Sequence, residues 1–163
     1  MFLLDTNVLS ESRKIGAGKA NANVVAWLSA QDAASCFVSA ITLMELDLAI
    51  LLMERRDPVQ GARLRAWMEN HVLPEFSDRT VPVDRSVALA CARLHVPDPR
   101  PERDAFIAAS ALVHGMRLVT RNVPDFAPMG VALINPWDPI WAPTSPAPPP
   151  PPHGPTRGTG RWA

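Results

Sequence analysis

Short apolar runs alternate along this chain with longer stretches in which apolar residues return every three or four positions. The runs "FLL" (2–4), "SCFVSA" (35–40), "TVPV" (80–83), "RLVT" (117–120) and "VALI" (131–134) have the length and composition of buried strands. Between them the helical period predicts helices from Thr6 or Asn7 as N-cap to about Lys14, then over 23–30 and 41–56. Further helices are predicted from Pro58 toward Pro74, over 86–96 and over 102–115. Ser39 is placed to cap the 41–56 helix and Gly115 to stop the 102–115 helix. Strands that alternate with helices predict an α/β layer architecture built on a mostly parallel sheet. In such sheets ligands gather beyond the carboxyl ends of the strands.

Four acids interrupt this pattern at unexpected places. Asp5 directly follows the first apolar run. Glu45 lies four residues after Ile41 and three before Leu48. It therefore shares the stripe Ile41, Met44, Leu48 and Leu52, the face expected to be buried, while Asp47 and Glu54 are expected on the solvent side. Asp104 starts the series Asp104, Ile107, Ala108 and Ala111, so it occupies the first turn of a face lined with small residues. Asp125 lies in "TRNVPDF", just past a strand, beside Asn122. Each has an ordinary structural explanation: a buried donor for Glu45, a dipole-favoured helix start for Asp104, an Asx-type turn for Asp125. Jointly they describe carboxylates converging on one end of a sheet. Such a cluster suits a hard divalent cation such as Mg²⁺, with Mn²⁺ as the alternative. The four histidines, His71, His95, His114 and His153, are scattered, and no His/Cys cluster offers a softer site.

Composition bounds the rest. The 163 residues suit one domain, and 47% apolar content is enough for a core. Sixteen basic and sixteen acidic residues balance, which neither indicates nor excludes a nucleic-acid partner. Cys36 and Cys91 both sit in apolar stretches and read as reduced, buried residues of a cytoplasmic protein. The N-terminus lacks a basic region ahead of its apolar run, which stops at Asp5, so no signal peptide is expected. "LAILLM" (48–53) is too short to span a bilayer. After Trp141 the composition changes: eight of the eighteen prolines lie in 143–163, with no aliphatic residue larger than alanine. The expected division is a folded domain over 1–142 and a disordered Pro-rich tail over 143–163. Without Arg157 and Arg161 the domain carries 14 basic against 16 acidic side chains.

"LLDTNVLSE", "SAITLMEL", "RDAFIAASALVHG" and "LVTRNVPDF", in this order and spacing, resemble the PIN-domain toxins of bacterial type II toxin–antitoxin pairs, the VapC group. "INPW" at 134–137 looks like the FitB-like branch. The resemblance implies a three-layer α/β/α PIN-like domain and a metal-dependent endoribonuclease. It places the acids of the site at Asp5, Glu45 and Asp104, with the fourth at Asp125 or Asn122, Asp125 being the remaining carboxylate of that loop. It implies Asp5 and Asp104 as ligands of Mg²⁺, and Glu45 as holder of a second metal or of the attacking water. It matches Thr6 or Asn7 to a small polar position beside the metal and Thr120 to a hydroxyl at a strand end. The implied partners are an RNA substrate, a second copy of the chain in a homodimer, and a cognate antitoxin of the VapB or FitA kind that inserts an arginine among the acids. Two departures stand out: the Pro-rich loop "VPDPRP" before Asp104, and the tail. Arg13, Lys14, Arg100, Arg103 and Arg121 lie near the motifs and are as consistent with surface solvation as with RNA contact. A non-catalytic PIN-like module that binds nucleic acid or antitoxin, and a DNA-directed nuclease, remain alternatives on the same residues.

Overall fold

Phe2–Leu4 forms β1, and its position in the sheet organises everything around it. In the computed structural model, which describes residues 1–139, β1 pairs on one side with β2 (Cys36–Ser39) and on the other with β4 (Arg117–Val119). The outer strands are β3 (Thr80–Val81) beside β2 and β5 (Leu133–Ile134) beside β4. The order is thus β3-β2-β1-β4-β5, and every pairing is parallel. Successive side chains of a strand point to opposite faces. Leu3 and Leu118 therefore join one core and Leu4 and Val119 the other.

Helices close both faces, as a buried parallel sheet requires. On the Leu3 face lie α6 (Arg85–Leu94) and α7 (Glu102–Val113), which contribute Val87, Cys91, Ile107 and the small residues Ala105, Ala108 and Ala111. On the Leu4 face lie α1 (Thr6–Ser12), α2 (Ala22–Ala30), α3 (Ala40–Arg56) and α4 (Pro58–Trp67). Trp27, fully buried, anchors that core and meets Phe2 edge-to-face at 5.2 Å. The expected three-layer α/β/α arrangement is the one found. Cys36 and Cys91 are free and buried, and no helix of the described residues is long and apolar enough to cross a membrane.

Several local expectations need correction. Asp5, not Thr6 or Asn7, is the N-cap of α1: its carboxylate accepts the Thr6 N–H at 2.7 Å. The helix ends at Ser12, and a 3₁₀ turn follows over Ile15–Ala17. The inward face of α3 is Thr42, Leu46 and Ile50, whereas Met44 and Leu52 are exposed. Nor do Asp47 and Glu54 simply face water. Both bind Arg65 of α4, Glu54 at 3.0 Å. The helix beginning at Pro58 ends beside Pro74, as expected, but is not α-helical throughout. It widens into a π-helical turn over Met68–Val72 and runs on as α5 (Leu73–Glu75). Ser39 does cap α3, accepting from Thr42 N at 3.0 Å. Gly115, at φ 62°, follows the end of α7, where the Met116 N–H closes back onto Ala111 O at 2.9 Å. The tail from 143 onward lies outside the described residues.

Candidate active site

The chain enters the sheet at its centre and leaves toward both edges, so the topological switch lies between β1 and β4, where an open α/β sheet forms its ligand crevice. Leu4 pairs with Val119, which puts Asp5 and Thr120 side by side at the carboxyl ends of these two strands. The Asp5 N–H bonds to Val119 O at 3.0 Å and the Thr120 N–H to Ile134 O at 2.9 Å, so both positions are pinned by the sheet. Asp5 is 5% exposed and Thr120 fully buried.

A buried carboxylate needs donors, and Asp5 has three. Oδ1 accepts the Thr6 N–H, and Oδ2 accepts the Thr120 hydroxyl at 2.6 Å and Asn7 Nδ2 at 2.7 Å. Thr120 Oγ1 in turn accepts from Asn7 Nδ2 at 3.1 Å and from the Asn122 N–H at 2.9 Å. Asn7 Oδ1 accepts the Arg121 N–H at 3.1 Å. The α1 start and the β4 loop are thereby tied around one carboxylate. Burial pushes the Asp5 pKa up, and these three donors pull it back in part.

Glu45 lies in the second turn of α3, half-buried, and its Oε2 accepts the Thr6 hydroxyl at 2.5 Å. The donor to this acid is thus a threonine hydroxyl beside Asp5. Asp104 lies half-buried in the first turn of α7, where the helix dipole favours a carboxylate, and Pro101 is the N-cap. The Asp104 pKa is raised to about 6, first by burial and then by the negative charges of Asp5, Asp125 and Glu45. Asp104 therefore lies within electrostatic reach of the other three acids. Asp125, exposed in α8 (Val123–Phe126), accepts from Asn122 Nδ2, so the two residues that contested this corner act together, the amide holding the carboxylate.

The donor set is carboxylate and hydroxyl oxygen throughout, which fits a hard divalent cation. Mutual repulsion at Asp104 is the imbalance that such a cation relieves. Among the described residues no three acidic, histidine or cysteine side chains already close into a metal cage. Asp5, Glu45 and Asp125 are each turned onto a hydrogen-bond donor instead. The site is an open crevice. An apolar cavity of about 220 Å³, lined by Leu4, Val8, Leu28 and Phe76 among others, contains none of the four acids.

This geometry is matched by what the chain is similar to. The family model described as PIN domain matches residues 2–126. The chain belongs to the PIN-domain family. It is 37% identical to the plasmid stability protein StbB of Pseudomonas syringae pv. tomato, over 85% of this chain and 99% of that protein. It is 34% identical to the VapC ribonuclease Y4jK of Sinorhizobium fredii, again over 85% and 99%. The toxin FitB of Neisseria gonorrhoeae is 36% identical over 84% of this chain and 99% of its own length. The crystal structure of FitAcB from that organism superposes with a TM-score of 0.75 at 34% identity, covering 84% and 99%.

For a PIN domain, one part of this site was not foreseen. The Arg121 guanidinium lies over the Trp137 ring at 5.6 Å from its centroid. The Trp137 carbonyl accepts Asn23 Nδ2 at 2.8 Å, and its N–H donates to Asn135 Oδ1 at 3.1 Å. The "INPW" segment carried the signal, but nothing in the spacing of 121 and 137 reveals that parallel β4 and β5 bring them together.

Proposed function

We propose that this chain is the toxin of a type II toxin–antitoxin pair and acts as a Mg²⁺-dependent endoribonuclease on RNA phosphodiesters. The observation that carries the reading is the meeting of Asp5, Glu45, Asp104 and Asp125 at the switch point of a PIN-domain sheet. The names of the relatives support it: a VapC ribonuclease and a toxin at 34% and 36% identity over nearly their whole lengths.

Asp5 and Asp104 would hold the metal, Asp5 fixed by three donors and Asp104 held near the other charges without a competing partner. When bound, the cation lowers the pKa of a coordinated water and stabilises the charge that grows on phosphate. Thr6 fixes one oxygen of Glu45, and the other would hold a second metal or orient the attacking water. Asn122 turns Asp125 toward the same crevice and completes its acidic wall. Thr120 and Asn7 favour the ionised form of Asp5 and offset part of the cost of its burial.

The antitoxin would be a small DNA-binding protein of the VapB or FitA kind, and a cationic side chain inserted among the four acids would silence the site. A homodimer would use the exposed apolar residues of α3 and α4, among them Met44, Leu51, Leu52 and Val59. The protein would work in the cytoplasm, and its functional domain would span 1–142 with 143–163 as an appended tail.

The test is purified, antitoxin-free protein incubated with structured RNA and MgCl₂, beside Asp5→Asn. Cleavage by the parent that is lost in EDTA and in Asp5→Asn is expected. Cleavage that survives either change would sink the metal-nuclease reading.

A further inference from the structure

Four carboxylates repel the substrate that they are meant to cleave. An RNA strand approaching them needs fixed positive charge at the rim, placed so that the scissile phosphate falls over the acids. Most basic side chains near the motifs are unsuited to this. Lys14 is paired with Glu11 at 2.7 Å. Among the described residues, the side chains of Arg13, Arg100 and Arg103 form no salt bridge and lie over no aromatic ring.

Arg121 differs in three respects. It follows Thr120, and its own N–H is bonded to Asn7 Oδ1, so its backbone is tied to the network that holds Asp5. Its guanidinium lies over Trp137, a ring whose backbone is held on both sides by Asn23 and Asn135. And among the described residues it forms no salt bridge, although it is exposed. Glu11 feels its charge but is already bonded to Lys14 and to the Asn21 N–H. A guanidinium held over an aromatic ring still has N–H donors free for phosphate oxygens. An exposed arginine ordinarily loses side-chain entropy on binding an anion. The tryptophan has removed part of that freedom in advance.

We propose that Arg121, oriented by Trp137, is a substrate-positioning residue that binds the RNA phosphate next to the one being cleaved. The pair sets the strand in register with Asp5. Trp137 acts through the arginine. The proposal rests on RNA being the substrate of the acidic crevice.

The experiment measures binding separately from cleavage. The full chain in EDTA is titrated into a fluorescein-labelled, single-stranded 12-nucleotide RNA of mixed sequence, by anisotropy, from about 50 to 200 mM KCl. Arg121→Ala should weaken binding about tenfold at the low-salt end, as expected for one charge-assisted phosphate contact. It should also flatten the slope of log K against log[KCl] by about 0.7. Arg121→Lys should keep the slope but recover only part of the affinity, because a point charge does not stack in the same plane. Arg63→Ala, an exposed arginine of α4, is the control. In MgCl₂ the same loss should appear mainly in KM. If the parent does not bind the RNA, or Arg121→Ala matches the parent or Arg63→Ala in affinity and slope, the proposal falls. If Arg121→Ala impairs only the antitoxin complex, it falls as well. Binding that depends on Arg121 in a protein that cleaves no RNA would leave Arg121 as an RNA-phosphate contact but overturn its place beside a scissile phosphate, together with the nuclease reading.

Discussion

Thr120 is a short side chain with three hydrogen bonds, and it shows what a single residue does at this site. Its hydroxyl donates to Asp5 and accepts from Asn7 and from the Asn122 N–H, all without solvent access. Thr120→Val keeps the shape and removes all three partners. A buried group left unsatisfied costs about 1–3 kcal/mol, so the variant should lose stability in that range in urea titration. RNA cleavage should fall further than the stability loss explains, since Asp5 loses the donor that favours its charged form. Unchanged stability would mean that Asn7 and Asn122 find other partners. Asp5 and Asp125 stood out in the sequence behind strands and Asp104 at a helix start, whereas Glu45 stood out only through a stripe that the structure does not bury. The hydrogen bonds that aim them were less legible. Asp5 as its own helix cap, and Thr6 as the donor to Glu45, depend on backbone geometry that residue spacing does not encode.

At the scale of elements, α3 explains both a success and an error. Its existence and its Ser39 cap were plain from the sequence. Its buried face was not, because apolar residues occur almost all round the helix and the period leaves the phase open. What sets the phase is tertiary: Thr42, Leu46 and Ile50 are buried, and the flank carrying Asp47 and Glu54 meets α4. That contact is close. A Cβ built on Gly61 of α4 would lie 2.5 Å from the Glu54 Cα, a backbone atom that cannot swing aside. Gly61→Ala should therefore force the two helices apart and cost about 1–3 kcal/mol despite the better helix propensity of alanine. Arg65→Ala, which removes the partly exposed ion pairs across the same hairpin, should cost less than Gly61→Ala. Thermal melts of the two variants decide between packing and charge as the source of the hairpin's stability, and the reverse order would overturn this account. Because α3 carries Glu45, Gly61→Ala should also reduce cleavage.

Strand order belongs to the whole molecule, and the sequence contains no local trace of it. Alternating strands and helices predicted a parallel sheet, but only long-range pairing makes β1 the centre and so opens the crevice beside Asp5. The same assembly leaves the metal-free protein electrostatically strained. Asp104, with its pKa raised to about 6, binds protons in the folded state at a pH where the unfolded chain has released them. Folded stability from this group is therefore highest below the ordinary value near 3.8, falls as pH rises toward 6, and stays lower above it. Asp5, also raised, adds in the same direction. Asp104→Asn removes the group, so in EDTA at pH 7.5 it should be more stable than the parent. After allowance for solvent screening of a half-exposed carboxylate, the gain is about 1 kcal/mol. At pH 4 the difference should vanish. Mg²⁺ binds the ionised form, so it should raise the parent's melting temperature more at pH 7.5 than at pH 5 and should barely move that of Asp104→Asn. Scanning fluorimetry over that grid reads the site without any RNA. A Mg²⁺ shift equal at both pH values, or equal in the two proteins, would place cation binding away from Asp104.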